Sequence, residues 1–192
     1  YMFRTKNYGQ TWESMIDEKK VTGYALCLIQ DPVEPNLIFV GTENGLWVSF
    51  DNGNNFQQWK NDYPSVSTYD MAIQEREADL VVATFGRAIY IFDDIRPLRK
   101  AASNNGVLFS KKLTLFQAPV AYMANYRPET GYDWSSWGLY EGENRHSGAP
   151  YSYFIKPTEK KDAPKNMKAD SATVKIYDKD NELIRTLKMK VD

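Results

Sequence analysis

The sequence predicts an all-β chain, in which the terminal blades of a β-propeller are followed by part of a β-sandwich. Three observations support this fold class. One turn pattern occurs twice, 44 residues apart. Short runs of β-branched and aromatic residues recur between clusters of Gly, Pro, Asn and Asp, as strands do. A repeat period of roughly 40–45 residues with four short strands per unit is typical of propeller blades.

Each copy of the turn, here called a box, has a hydroxyl residue, then Asp or Asn, then Gly, then an aromatic residue. The residues of the two boxes are Thr5, Asn7, Gly9, Thr11 and Trp12, and Ser49, Asp51, Gly53 and Phe56. The glycines are expected at positive φ, which glycine adopts without steric cost. The oxygens of Asn7 and Asp51 are expected to accept hydrogen bonds from backbone N–H groups of the turn. We therefore assign the boxes to folding and not to ligand binding.

Strand-like runs also repeat outside the boxes. The aligned pairs are residues 26–31 with 70–75 at an offset of 44, and 37–42 with 79–84 and 45–51 with 87–93 at an offset of 42. Nearly continuous apolar runs suit sheets that are covered on both faces. The third copy has no box glycine, and Pro97 cannot donate a ladder hydrogen bond. We therefore expect the propeller to end near residue 95.

The prediction divides the chain into three parts. Residues 1–95 are the C-terminal blades of a propeller, residues 96–114 are a polar, turn-rich linker, and residues 115–192 are a partial immunoglobulin- or fibronectin-like sandwich. In the last part, strands are expected over 172–177 and 182–187, joined by a turn-rich hairpin loop. Because repeats need neighbours to bury their faces, we expect the chain to be a piece of a longer protein.

The boxes resemble the Asp-box of bacterial neuraminidase repeats, which occurs in sialidases, in xyloglucanase-type glycosidases and in the sortilin-type receptor propeller. The run from Ala83 to Leu98 is similar to the last-blade segment of large secreted bacterial proteins catalogued as sortilin-like or BNR-repeat glycosyl hydrolases. Members often carry His where this chain has Phe85. The resemblance implies an extracellular, periplasmic or cell-surface protein. It also implies a glycan or protein ligand, with the remainder of the polypeptide as a further partner.

The resemblance also implies which end of the sheets binds a ligand, since Asp-boxes lie on the face opposite the ligand site. On that candidate face we place Glu43, Asn44, Phe85, Gly86 and Arg87, with Asp62, Tyr63 and Asp70 nearby. The Arg87 guanidinium suits an anionic sugar or a peptide carboxylate, and the alternatives are a solvated turn or an ion pair between blades. Glu43 and Asp62 are the acids eligible for glycoside hydrolysis, which needs two carboxylates at a set separation.

Aromatic residues are concentrated between residues 122 and 153, and Trp134 and Trp137 are the candidate ligand-binding side chains among them. Exposed rings there would form a carbohydrate platform. The alternative is that these rings anchor a long loop by burying large areas.

Composition narrows the function further. The chain has 24 Lys and Arg against 25 Asp and Glu, which leaves no electrostatic footprint for nucleic acid. No apolar run approaches the length of a membrane span. Cys27 is the only cysteine and is expected to be a structural thiol, and His146 is the only histidine, which excludes a His-pair metal site in this chain. We expect no metal and no cofactor.

Two classes of function are therefore predicted. The first is a binding or scaffold module of a secreted or surface protein, with no catalysis by this chain alone. The alternative is part of a glycoside hydrolase, sialidase- or xyloglucanase-like, whose active site lies mainly in blades outside this sequence.

Overall fold

A computed structural model describes residues 2–16, 21–121, 148–156 and 171–190. The chain forms two compact units, Tyr1–Lys156 and Pro157–Asp192. Strands dominate the described residues, which contain one α-helix. The predicted all-β class is confirmed. All of the sheets are antiparallel and have two to four strands each.

The strands and helices of the first unit follow one another along the chain. They are β1 Phe3–Arg4, β2 Glu13–Ser14, β3 Ala25–Gln30, β4 Ile38–Thr42, β5 Gly45–Ser49, β6 Gln57–Trp59, β7 Thr68–Gln74, β8 Asp79–Thr84, β9 Ile89–Phe92, α1 Arg96–Ala102, a 3₁₀-helix at Val107–Ser110, β10 Leu113–Leu115 and β11 Tyr153–Ile155. The second unit contains β12 Ser171–Tyr177 and β13 Leu183–Lys190, which pair as a hairpin over the two predicted strand ranges.

Two of the sheets repeat one arrangement. Strands β3, β4, β5 and β6 follow one another in the first sheet, and β7, β8 and β9 do so in the second. The middle strands show the matching register, in which Val40 pairs with Leu28 and Trp47, and Val82 pairs with Met71 and Tyr90. The first pair of strands in each sheet is interrupted by a bulge at the equivalent place. No helix occurs among the described residues before residue 96.

The register corrects the sequence alignment by one residue in two strands. Leu28 is equivalent to Met71, an offset of 43 where the alignment had 44. Trp47 is equivalent to Tyr90, an offset of 43 where it had 42. Two residues lie between the paired Thr42 and Gly45, whereas three lie between Thr84 and Ala88, which are joined by a hydrogen bond.

The two box hairpins share one register. Phe3 pairs with Ser14 across the first box, and Trp47 pairs with Gln58 across the second. Both partners are displaced by 44 residues, so the sequence alignment is correct at the boxes.

The main hydrophobic core lies between the two larger sheets. Its largest fully buried side chains include Phe39, Leu37 and Leu46 of the first sheet region and Leu80 of the second sheet. Burying an aliphatic or aromatic side chain of this size contributes about 1.5–3 kcal/mol. These contacts fix the second sheet against the first.

The predicted linker, residues 96–114, contains a helix that belongs to this core. Ala101 and Ala102 of α1 are buried in the same cluster as Phe39. The buried Asp31 carboxylate accepts a hydrogen bond from Arg99 Nε at 2.9 Å, which joins α1 to the loop between β3 and β4. Strand β10 then pairs with β11.

Candidate functional site

Four loops of the two larger sheets meet at one end of the strands. Glu43 N in the β4–β5 turn donates to Tyr24 O at 3.1 Å, before β3. Ser67 Oγ, before β7, donates to Glu43 O at 3.1 Å. Phe85 N, in the β8–β9 turn, donates to Ser67 O at 2.9 Å. The four loops are therefore connected by a continuous series of hydrogen bonds.

Three aromatic side chains at this end are exposed to solvent. The exposed fractions are 77% for Tyr24, 56% for Tyr69 and 73% for Phe85. The rings of Tyr69 and Phe85 pack with centroids 5.8 Å apart. We call this set, with the turns that carry Glu43 and Arg87, the aromatic face. Large exposed aromatic groups at loops held by a rigid scaffold are typical of binding surfaces.

The β8–β9 turn holds Arg87 in a defined and strained backbone. Gly86 and Ala88 on either side both have positive φ, at 86° and 57°. A left-handed residue with a Cβ costs about 1–2 kcal/mol. Two hydrogen bonds from Thr84 offset this cost, because its N and its Oγ1 both donate to Ala88 O, at 3.0 and 2.7 Å. Arg87 itself is exposed and forms no salt bridge with any described residue.

The predicted candidates on this face have different environments. Glu43 and Asn44 are exposed in the β4–β5 turn, and Asn44 O accepts from Gln58 Nε2 at 3.1 Å. Asp62 is exposed and has a positive φ of 49°. Asp70 is exposed, and one of its carboxylate oxygens accepts from Met71 N at 2.9 Å.

Tyr63 belongs to the core and not to the surface. It is 5% exposed, its hydroxyl lies 2.6 Å from Thr68 Oγ1, and its ring packs edge to face on Tyr90 with centroids 5.0 Å apart. Burial raises the pKa of Tyr63, although the Thr68 hydroxyl partly offsets this effect. The structure therefore assigns Tyr63 to packing between the sheets.

The boxes lie at the other end of the strands. The β4–β5 turn and the second box flank the same strand, β5, whose five residues span about 15 Å. Gly9 and Gly53 have positive φ, at 91° and 79°, as predicted. This geometry separates the residues that close the boxes from the aromatic face.

The first box is closed by two side chains. Thr5 Oγ1 donates to Asn7 Oδ1 at 3.1 Å and accepts from Gly9 N at 2.8 Å. Asn7 Oδ1 also accepts from Thr11 N at 2.8 Å. Trp12 covers the turn through its Nε1, which donates to Gly9 O at 3.1 Å.

The second box repeats this network with a carboxylate. Ser49 Oγ donates to Asp51 Oδ1 at 2.8 Å and accepts from Gly53 N at 2.9 Å. Asp51 also accepts from Asn55 N and Asn55 Nδ2, at 2.8 and 2.7 Å. Burial tends to raise the pKa of Asp51, but the hydrogen bonds from Asn55, Ser49 and Asn54 outweigh it and lower the pKa.

Sequence reasoning missed Tyr24, Ser67 and Tyr69, which are part of the aromatic face. Tyr24 and Ser67 lie just before the first strands of their sheets, and they are equivalent only when the sequence alignment is shifted by one residue. Tyr69 lies inside β7. Tyr69 lies at the bulge of β7, where Tyr69 and Asp70 are both exposed, so an alternating pattern does not indicate it. The predicted candidates Trp134 and Trp137, and His146, lie outside the described residues.

Two kinds of site are absent from the part of the chain that the structure describes. The described residues contain no group of three or more His, Cys, Asp or Glu side chains that could hold a metal ion. In the same residues, no helix has the length and apolar character required to cross a membrane. Comparison of the chain with protein-family models, with curated proteins and with solved structures finds no match.

Proposed function

We propose that this chain is a binding or scaffold module of a secreted or surface protein, and that its aromatic face binds a glycan or protein ligand. The observation that carries the proposal is the exposed pair of Tyr69 and Phe85 on four mutually bonded loops. Flat aromatic rings stack on the apolar faces of sugar rings. They also anchor protein interfaces, where aromatic residues and Arg are enriched.

The charged groups around the rings complete the recognition surface. Arg87 offers a planar guanidinium fork that suits a carboxylate of a sugar or a peptide. Glu43 and Asn44 offer acceptors and donors for hydroxyl groups on the neighbouring turn. We therefore propose an anionic or carboxylate-bearing glycan as the first ligand class to test.

The repeated sheets support the proposal that residues 1–95 are blades of an Asp-box propeller. The two sheets share strand order, register and bulge position, and the two boxes share their hydrogen bonds. In this proposal the boxes stabilise the hairpins, and the turns at the opposite end of the strands contact the ligand.

The test is binding of the chain to a panel of neutral and acidic oligosaccharides. We expect Phe85→Ala to lower the affinity of the best ligand about tenfold or more, as loss of an aromatic anchor does. Tyr8, at the tip of the first box, is fully exposed, so Tyr8→Ala is the matched control and should leave affinity unchanged. No binding to any glycan or protein tested, or equal losses in the two variants, would contradict the proposal.

The hydrolase alternative makes a different prediction. Turnover of a glycan that is abolished by Glu43→Gln or Asp62→Asn would favour an enzyme. Saturable binding without turnover would favour the binding module.

A further inference from the structure

A second surface of the first unit, independent of the aromatic face, has the properties of a ligand site. A groove of about 940 Å³ runs between α1, the 3₁₀-helix and the extended residues 114–120. Pockets of roughly 300–1,000 Å³ accommodate drug-sized ligands. The groove is therefore large enough for a small molecule with an apolar body.

The charged residues that line the groove are mainly cationic. Arg76, Arg96, Lys100 and Lys111 line it, against one acid, Glu77. Arg76 is paired with Glu77 at 3.0 Å, and Arg96 is paired with Asp94 at 3.0 Å. The two lysines are exposed and form no salt bridge with a described residue. An excess of positive charge therefore remains at the groove.

The rest of the lining is mainly apolar and also includes the amides of Asn104 and Gln117 and one buried hydroxyl. Three apolar side chains that line the groove are 55–74% exposed, namely Val107, Leu115 and Val120. Exposed apolar side chains that lie together are typical of an interaction site. Thr114 also lines the groove, and its Oγ1 is buried without a hydrogen-bond partner among the described residues. A buried hydroxyl without a partner costs about 1–3 kcal/mol. An acceptor atom of a ligand would satisfy it.

We propose that this groove binds an anionic amphiphile, a molecule with one acidic head group on an apolar body. The head group contacts the ammonium groups of Lys100 and Lys111 and accepts a hydrogen bond from the Thr114 hydroxyl. The apolar body covers Val107, Leu115 and Val120. Carboxylate and phosphate head groups share this chemistry.

The test is calorimetric titration of the 192-residue chain with three probes of equal alkyl length: decanoate, decyl phosphate and decyltrimethylammonium. We expect both anions to bind and the cation not to bind, with affinity falling as salt rises, since salt screens the exposed lysines. Tighter binding of decyl phosphate than of decanoate, or the reverse order, supports the proposal and identifies the head group. Equal binding of the cationic probe would overturn it.

Substitutions of residues that line the groove test whether the anions bind there. We expect the double variant Lys100→Glu and Lys111→Glu to lower the affinity for the anions about tenfold or more, as loss of charged hydrogen-bond donors does. Lys112 is exposed next to Lys111 but does not line the groove, so Lys112→Glu is the matched control and should change affinity less than about twofold. Thr114→Val should weaken binding about fivefold without lowering the melting temperature, because it removes an unpartnered hydroxyl. Unchanged affinity in the double variant and in Thr114→Val, or an equal loss in Lys112→Glu, would contradict the proposal.

Discussion

At the scale of single residues, the box carboxylate shows how one side chain closes a turn. Asp51 accepts from the backbone and side chain of Asn55 and from the Ser49 hydroxyl. The first box achieves the same closure with Asn7, a neutral residue. The shared acceptor oxygen, and not the charge, is therefore the essential feature of the box.

The comparison of Asp51 with the neutral Asn7 predicts the effects of substituting Asp51. Asp51→Ala leaves the turn donors without their acceptor and should lower the free energy of unfolding by about 1–3 kcal/mol. Asp51→Asn should cost less than Asp51→Ala, because Asn55 can turn its amide to match and Asn7 serves in the first box. Urea denaturation at neutral pH measures both. Equal losses in the two variants would show that the charge is essential.

The lowered pKa of Asp51 also predicts an acid dependence. A carboxyl whose pKa is lower in the folded state stabilises the fold above its unfolded pKa of about 3.9. That contribution is lost as pH falls through the lower folded pKa. We expect stability to fall with acidification in this range for the parent chain and to fall less for Asp51→Asn. Identical pH profiles would contradict the assignment.

The Cys27 thiol is the second residue with a clear prediction. Burial raises its pKa to about 11, and its Sγ lies 3.4 Å from Thr68 O. The reactive thiolate is therefore scarce near pH 8, and access is limited. We expect reaction with a disulfide reagent at that pH to be slower by about a hundredfold or more than in the urea-unfolded chain. Comparable rates would show an accessible thiol.

At the scale of elements, the sequence is sufficient to locate most strands but not to fix the register of every strand. The apolar runs around 37–42 and 79–84 were sufficient to place β4 and β8, because tertiary packing there reinforces β propensity. The register of β3 and β9 depends on a bulge and on an extra turn residue, which have no strong local signal. The burial of Tyr63 is not evident from the sequence for a related reason, since its ring partners Tyr90 and Phe92 are distant in sequence.

Helix α1 was missed because its local signals conflict. Pro97 correctly ends the strand pattern, but proline is also common in the first turn of a helix. Leu98, Ala101 and Ala102 have the spacing of one buried helical face and pack on the core. With seven residues, the helix depends on these tertiary contacts and not on propensity.

The ion pair between α1 and the first sheet predicts an unequal effect of two arginine substitutions. Asp31 is 2% exposed, so Arg99→Ala leaves a buried carboxylate without its ion pair, although Asp31 Oδ1 keeps the hydrogen bonds from Val33 N and Glu34 N. We expect a loss of about 3–5 kcal/mol in the free energy of unfolding. Arg96→Ala removes a more exposed pair on the same helix and should cost less than about 1 kcal/mol. Equal losses in urea denaturation would exclude a special role for the buried pair.

The close approach of the two sheets depends on one glycine. A Cβ at Gly41 would lie 2.6 Å from Thr68 O, a backbone atom of β7, and would also overlap Cys27 Sγ. In the second sheet, the residue at the position equivalent to Gly41 is Ala83, which carries a Cβ. We expect Gly41→Ala to destabilise the chain by about 1–3 kcal/mol through overpacking. A thermal melt that does not change would show that the sheets can separate without cost.

At the scale of the whole molecule, the first unit combines two repeated sheets that end differently. The first sheet has a fourth strand delivered by its box, whereas the chain leaves the second sheet after β9 and enters α1. The repeat itself was predictable, because its turn chemistry is local. The aromatic face was only partly predictable, because it is assembled from four loops that are separate in sequence.

In the proposed function, the boxes maintain the fold while the aromatic face contacts the ligand. The most direct measurement is NMR mapping of backbone amide shifts while the chain is titrated with the best ligand from the oligosaccharide panel. We expect shift changes to cluster at residues 23–24, 43–44, 67–69 and 85–88, and we expect residues 7–9 and 51–53 to stay unchanged. Changes that cluster at the boxes, with none at Tyr69 or Phe85, would contradict it.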